Sequence, residues 1–213
     1  MSPEGRRAFA FWTDLYRRGL LPREVVSQGY RRAIELYQAG DLAQVATGPD
    51  FLRNLQTNAP GIAAVTAPFP PLTGPDGVAN VAAMNLVVPK QSALAREAVS
   101  FALHLTDARR QLAFAQEARV LPSSTVALEQ LRSSLAVAVP SGSPERLVSE
   151  ARSLSAATLE RARVLVPATP GIKRLQAIVY TQLPRAMLGQ VASDVALAEA
   201  ERQWNAYAAA RWP

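Results

Sequence analysis

The chain has 213 residues, 49% of them apolar, no cysteine and a formal charge of +6. That length suits one large domain or two small ones with a buried core, and the missing cysteine excludes disulfides, thiolate metal sites and cysteine nucleophiles. Arginine carries nearly all of the positive charge, lysine occurring only at 90 and 173, and pairs such as Arg17-Arg18, Arg31-Arg32 and Arg109-Arg110 lack interleaved aromatics, so no nucleic-acid partner is expected.

Met1 to Arg7 has no apolar run after its basic residues and does not read as a secretion signal. No later stretch reaches about 18 uncharged apolar residues, so no membrane span is predicted. Ser2-Pro3-Glu4 reads as an N-cap, a proline at the first helical position and an acid in the first turn. The helix it opens runs to about Arg18, with Ala8, Phe11, Trp12, Leu15 and Tyr16 on one stripe, and Gly19 ends it. A shorter helix is predicted from Tyr30 to Ala39, ending at Gly40. Leu42 to Thr47 reads as a buried strand. Gly48-Pro49 then turns the chain into a helix carrying Phe51, Leu52 and Leu55.

Ile62 to Ala67 reads as a second strand, and the proline- and glycine-rich run from Pro68 to Gly77 as a loop. Val78 to Val88 is the longest strand-like run, closed by Pro89. The remainder reads as helical. Ser92 caps a helix with Ala98, Phe101, Ala102 and Leu105 facing inward. Thr106 caps the next, with Leu112 and Ala115 inward. Leu121 to Ser124 breaks the chain, and 140–144 reads as a flexible stretch. Helices follow over about 145–164, 171–188 and 193–210, the last with Leu197, Ala200, Trp204 and Ala208 on one face. Strands separated by helices imply parallel pairing and an α/β class, here helix-dominant. Three strands make a small sheet for this length, which suggests that part of a larger sheet is missing.

Little in the chain suggests catalysis. His104 is the one histidine, and beside Phe101 it reads as a half-buried structural residue. One histidine without cysteines cannot build a usual zinc site, so no metal is expected. Neither a nucleophile elbow nor a glycine-rich phosphate loop occurs, and no enzyme activity or cofactor is expected. Recognition chemistry remains. At Gly48-Pro49-Asp50-Phe51, free N–H groups at a helix start can donate to a ligand oxygen, Gly48 permits close approach and Asp50 can accept from hydroxyls.

Several segments taken together resemble family 1 extracellular solute-binding proteins, the sugar-binding subunits of ABC importers, of which maltose-binding protein is a distant relative. The first is Phe11 to Pro22. Then come Tyr30, the short helix ending at Gly40, and Gly48-Pro49 before Asp50. The segments Val65 to Pro70, Ala82-Ala83-Met84-Asn85, Ala95 to Ala108, Arg119 to Ser123 and the Leu188-Gly189 turn follow in the family's order.

The resemblance implies a type II periplasmic-binding-protein-like fold of two α/β lobes with the ligand in the cleft, this chain matching the C-terminal half. It assigns 1–66 and 124–213 to the C-terminal lobe and 80–122 to a remnant of the N-terminal lobe. Residues 67–79 and 119–124 then serve as crossing segments. It implies a role in capturing a sugar or similar polar solute and handing it to a membrane permease, in the periplasm or outside the cell. The implied ligand-binding residues are Tyr30, Gly48, Asp50, Phe51, Ala83, Met84 and Gln176. The family's Gly-Gly pair is Ala82-Ala83 here, its aromatic after Gly-Pro is Asp50, and the helix opening near Gly171 offers Lys173 and Gln176. These exchanges favour a more polar ligand. A lobe remnant without its sheet partners is expected to self-associate as a homodimer through 78–122 or to stay mobile. The alternative reading is a stand-alone helical interaction module without a ligand.

Overall fold

The computed structural model describes residues 2–137, 139–140, 143–166 and 168–212. The chain divides into two compact units, 1–35 with 166–213, and 36–165. The lobe boundaries implied by the resemblance lie elsewhere, near 66, 80 and 122–124.

The first unit is a helical assembly of α1 (Pro3–Arg17), α9 (Ile172–Met187) and α10 (Ser193–Arg211). The Ser2 side chain accepts from the Gly5 N–H, giving α1 the expected cap. Phe9 packs with Ala186, Ala196 and Leu197 in a buried cluster, against which Leu183 and Val191 lean. Small residues on α9 and α10 let these helices approach closely. Arg17 donates to the Ala186 carbonyl at 2.8 Å, tying the end of α1 to the last turn of α9. The chain passes into the second unit within α2 (Tyr30–Gln38), which Gly40 terminates at φ +83°.

The second unit holds α3 (Phe51–Asn58), α4 (Pro60–Ala64), α5 (Ala95–Leu105), α6 (Ala108–Ala118), α7 (Thr125–Leu135) and α8 (Pro144–Thr158). Leu36, Phe51, Leu52, Leu55, Leu131 and Val148 supply its apolar interior. Burying each side chain of that size contributes about 1.5–3 kcal/mol. Gln111 on α6 holds the break before α7: its Oε1 accepts from the Ser123 and Ser124 N–H groups, both at 2.8 Å. Ser124 in turn caps α7 by accepting from Ala127.

The sheet is smaller than the sequence suggests. Among the described residues, β1 (Ala79–Asn80) pairs in parallel with β2 (Ala162–Arg163), in register Ala79 with Ala162. The Asn80 side chain extends the pairing by accepting from the Leu165 N–H. Of the run expected as a strand from 78 to 88, only Ala79 and Asn80 are strand, with the Val81 N–H donating to the Arg163 carbonyl, while 82–88 and 42–46 are irregular. Residues 62–64 are helical instead, because Pro60 occupies a first-turn position and presets the helix. A short apolar run does not by itself distinguish strand from helix.

Three boundaries also move. Asp107, not Thr106, caps α6, accepting from the Arg110 N–H. The helix expected to 164 ends at Thr158, leaving 162–163 free to pair with β1. Ser92 accepts from Leu94, so α5 starts later than expected. The stripe expected to face inward on α5 is not covered: the helix has no buried residue, and Phe101 is 61% exposed. Apolar periodicity marks a face for burial without saying what buries it. The expected flexible stretch at 140–144 includes Ser141 and Gly142, which lie outside the described residues.

Candidate functional site

In the second unit, residues 48–51 form the entry to α3. Asp50 sits at the N-cap position in a helical conformation (φ −61°, ψ −31°), and its carboxylate makes no capping bond. That exposed carboxylate carries no structural duty within its own helix. The backbone donors expected to be free are engaged instead. Phe51 N–H donates to Gly48 O, Leu52 N–H to Pro49 O and Arg53 N–H to Asp50 O, a tight first turn that absorbs them. The Phe51 side chain is 7% exposed and packs edge-on against Tyr37 at 5.8 Å. It anchors the junction from the core side, while Gly48 is exposed.

Ala83 and Met84 lie in the irregular run after β1, and Met84 is 79% exposed. The Asn85 side-chain amide donates to the Ala83 carbonyl two residues back. In the first unit, Tyr30 opens α2 and is 59% exposed, and Gln176 lies on α9, half-buried. Within the second unit, Gly48, Asp50 and the 83–84 pair are all solvent-facing. His104 is exposed rather than half-buried, its ring stacked 6.4 Å from Phe101 on the open face of α5.

Two features escape the sequence reading. In the first unit, Trp204, Tyr207 and Trp212 form a cluster with ring centroids 5.7–6.2 Å apart. Their rings close over Gly171 at the start of α9, where an added Cβ would lie 2.8 Å from the Trp212 ring. Trp204 and Tyr207 are three residues apart on α10, a spacing that hints at such a pair. In the second unit, a cavity of about 180 Å³ is lined by Arg53, Gln56, Arg119, Leu135, Pro144, Glu145, Val148, Ser149 and Arg152. Arg152 is 8% exposed and donates to the Ala115 carbonyl at 2.9 Å. The signal for this site was an arginine within the buried stripe Val148, Ala151, Arg152 and Ala156 of α8.

Residues 1–139 match the profile of the family described as "Bacterial extracellular solute-binding protein". The chain belongs to that family. Two solved structures match this solute-binding chain over its whole length at 67% identity. One is named as a "putative oligosaccharide periplasmic-binding protein" from Synechococcus sp. MITs9220, with a TM-score of 0.96, and the other is the same kind of protein in complex with zinc, with a TM-score of 0.95. The helix-dominant fold is thus that of periplasmic-binding proteins, as the resemblance implied. The chain spans 54% and 53% of those relatives' lengths, about half of each. No curated protein matches. Among the described residues of the solute-binding chain, no three His, Cys, Asp or Glu side chains are grouped to hold a metal. No described helix is long and apolar enough to cross a membrane.

Proposed function

We propose that this chain is the C-terminal half of the substrate-binding subunit of an ABC importer, which captures an oligosaccharide or similar polar solute in the periplasm or outside the cell and delivers it to the membrane permease. The whole-length identity of 67% to oligosaccharide-named periplasmic-binding proteins carries this reading. Binding and release, not turnover, are the activity expected of such a subunit. The lobe assignment proposed with it is 1–66 and 124–213 for the C-terminal lobe, with 80–122 belonging to the N-terminal lobe and 67–79 and 119–124 crossing between them.

The ligand-binding residues of this reading are Tyr30 and Gln176 in the first unit and Gly48, Asp50, Phe51, Ala83 and Met84 in the second. The uncommitted Asp50 carboxylate supports it, because a hydroxyl-rich ligand needs acceptors that the fold has not already used. Asp50 in place of an aromatic exchanges ring stacking for hydrogen bonding. The unburied α5 and the exposed Met84, Leu86, Val87 and Phe101 support a second element of the proposal. This face is covered by the part of the fold that the relatives possess beyond the length matched here. Lacking that cover, the isolated chain uses 78–122 to form a homodimer.

The test joins this chain to the remaining half of the fold and titrates oligosaccharides by calorimetry. Asp50→Ala should weaken binding by about 1–3 kcal/mol. Unchanged affinity removes Asp50 from the cleft, and failure of any oligosaccharide to bind removes the sugar reading.

A further inference from the structure

The arginine-lined cavity of the second unit lacks the negative charge that its walls call for. Arg53, Arg119 and Arg152 face it with a single carboxylate, Glu145. That carboxylate is drawn to the Ser143 hydroxyl, which holds it below the usual carboxylate range. Among the described residues, neither Arg119 nor Arg152 has an ion-pair partner, and the Nε atoms of both are buried with no acceptor. Arg152 is more than nine-tenths buried. Burial, then the neighbouring Arg119 charge, pushes its guanidinium below the ordinary arginine value. A buried cation without a countercharge is costly, and two adjacent ones more so.

A structural role covers only part of this. One Arg152 nitrogen donates to Ala115 near the end of α6, a favourable place for a cation. It leaves the Nε groups, the repulsion and the cavity unexplained. The cavity is smaller than the roughly 300–1,000 Å³ of ordinary organic-ligand pockets, yet it has room for several waters at about 30 Å³ each. An oligosaccharide does not fit these dimensions, whereas a compact multivalent anion does.

We propose that this cavity is a second ligand site, separate from the sugar reading, that takes a doubly charged tetrahedral oxyanion of the phosphate type, held between Arg53, Arg119 and Arg152. Guanidinium groups match such oxygens in charge and in fork geometry. The oxyanion arrives either free or as the head of a phosphomonoester.

The test uses the full 213-residue chain, titrated with inorganic phosphate, glucose 6-phosphate and, at matched ionic strength, chloride. Calorimetry and the arginine Nε–H resonances are followed together. Saturable binding of phosphate with shifts of two arginine Nε–H signals is expected, and no saturable response to chloride. Equal affinity for the two phosphates identifies the free ion, and tighter binding of the ester identifies the monoester. Arg53→Gln, on an exposed stretch of α3 and safe for folding, should weaken binding about tenfold, as should Arg119→Gln. No saturable phosphate response, an equal response to chloride, or unchanged affinity in both variants overturns the proposal.

Discussion

Gly171 shows how much one residue can settle. It holds φ +81° at the start of α9 and leaves no room for a Cβ beneath Trp204, Tyr207 and Trp212. An L-residue there takes on the left-handed conformation and a clash with the Trp212 ring. The two costs are separable, since Trp212 is 45% exposed and its ring has room to swing aside. Gly171→Ala should lower unfolding free energy by about 1–2 kcal/mol, the cost of that conformation. Urea unfolding of Gly171→Ala with and without Trp212→Ala checks this. The second substitution should recover only the smaller part, and full recovery would make the clash the main cost. The sequence announces the glycine as a helix stop or start, but it does not announce the rings that close over it. Their contact joins positions more than thirty residues apart, which no local pattern encodes. The same holds for Arg119 and Arg152, brought to one cavity from the end of α6 and from α8.

Helix α1 was legible from its cap and stop, Ser2, Pro3 and Gly19, but not its buried face: Phe11 and Trp12 of the expected stripe are exposed, and Phe9 and Thr13 are buried instead. The strands were not legible. Leu42 to Thr47, Ile62 to Ala67 and Val78 to Val88 share apolar, extended-looking composition, yet one became helical and two found little to pair with. A strand is defined by its neighbour, and the neighbour is not written in its own residues. Exposed helices can still carry local electrostatic terms that pH reveals. On α10, Glu199 accepts from Arg202 and Gln203, and these hydrogen bonds lower its carboxyl from 4.5 to about 2. A depressed folded-state value means that the stabilisation is complete above the unfolded value and fades as pH falls from 4.5 towards 2. The pair is solvent-exposed, so the effect is small and salt-sensitive. Comparing acid unfolding of the protein with Glu199→Gln by circular dichroism should show a flatter decline in the variant over that window. Parallel curves would mean that the pair contributes nothing.

At the scale of the whole chain, family and fold were readable from an ordered series of weak matches: Phe11 to Pro22, Gly48-Pro49, Ala82 to Asn85 and Arg119 to Ser123. The proposed ligand-binding residues come from the same resemblance, and what the residues themselves add is narrower. Asp50 is uncommitted, Phe51 is occupied in the core, and Met84 is bare. The apolar face of α5 with 84–87 gives the homodimer proposal a direct readout. Light scattering of the isolated chain should report a dimer whose amides over 95–105 are protected from exchange and become labile on dilution. A monomer with the same strong protection would show that α5 is stabilised within the chain itself.

The pairing of Ala79 with Ala162 also bears on the order in which the molecule forms. Those residues are about 83 positions apart along the chain, and closing a flexible loop of that length costs about 4 kcal/mol of chain entropy before any contact is gained. Two paired residues, the Val81 to Arg163 backbone bond and one Asn80 side-chain bond return about 1 kcal/mol each, no more than that cost. The contact therefore cannot nucleate folding. It forms only after α6, α7 and α8 have condensed and shortened the effective loop, so β1 and β2 are the last to zip and the first to open. This small sheet acts as a latch on an already folded helical body.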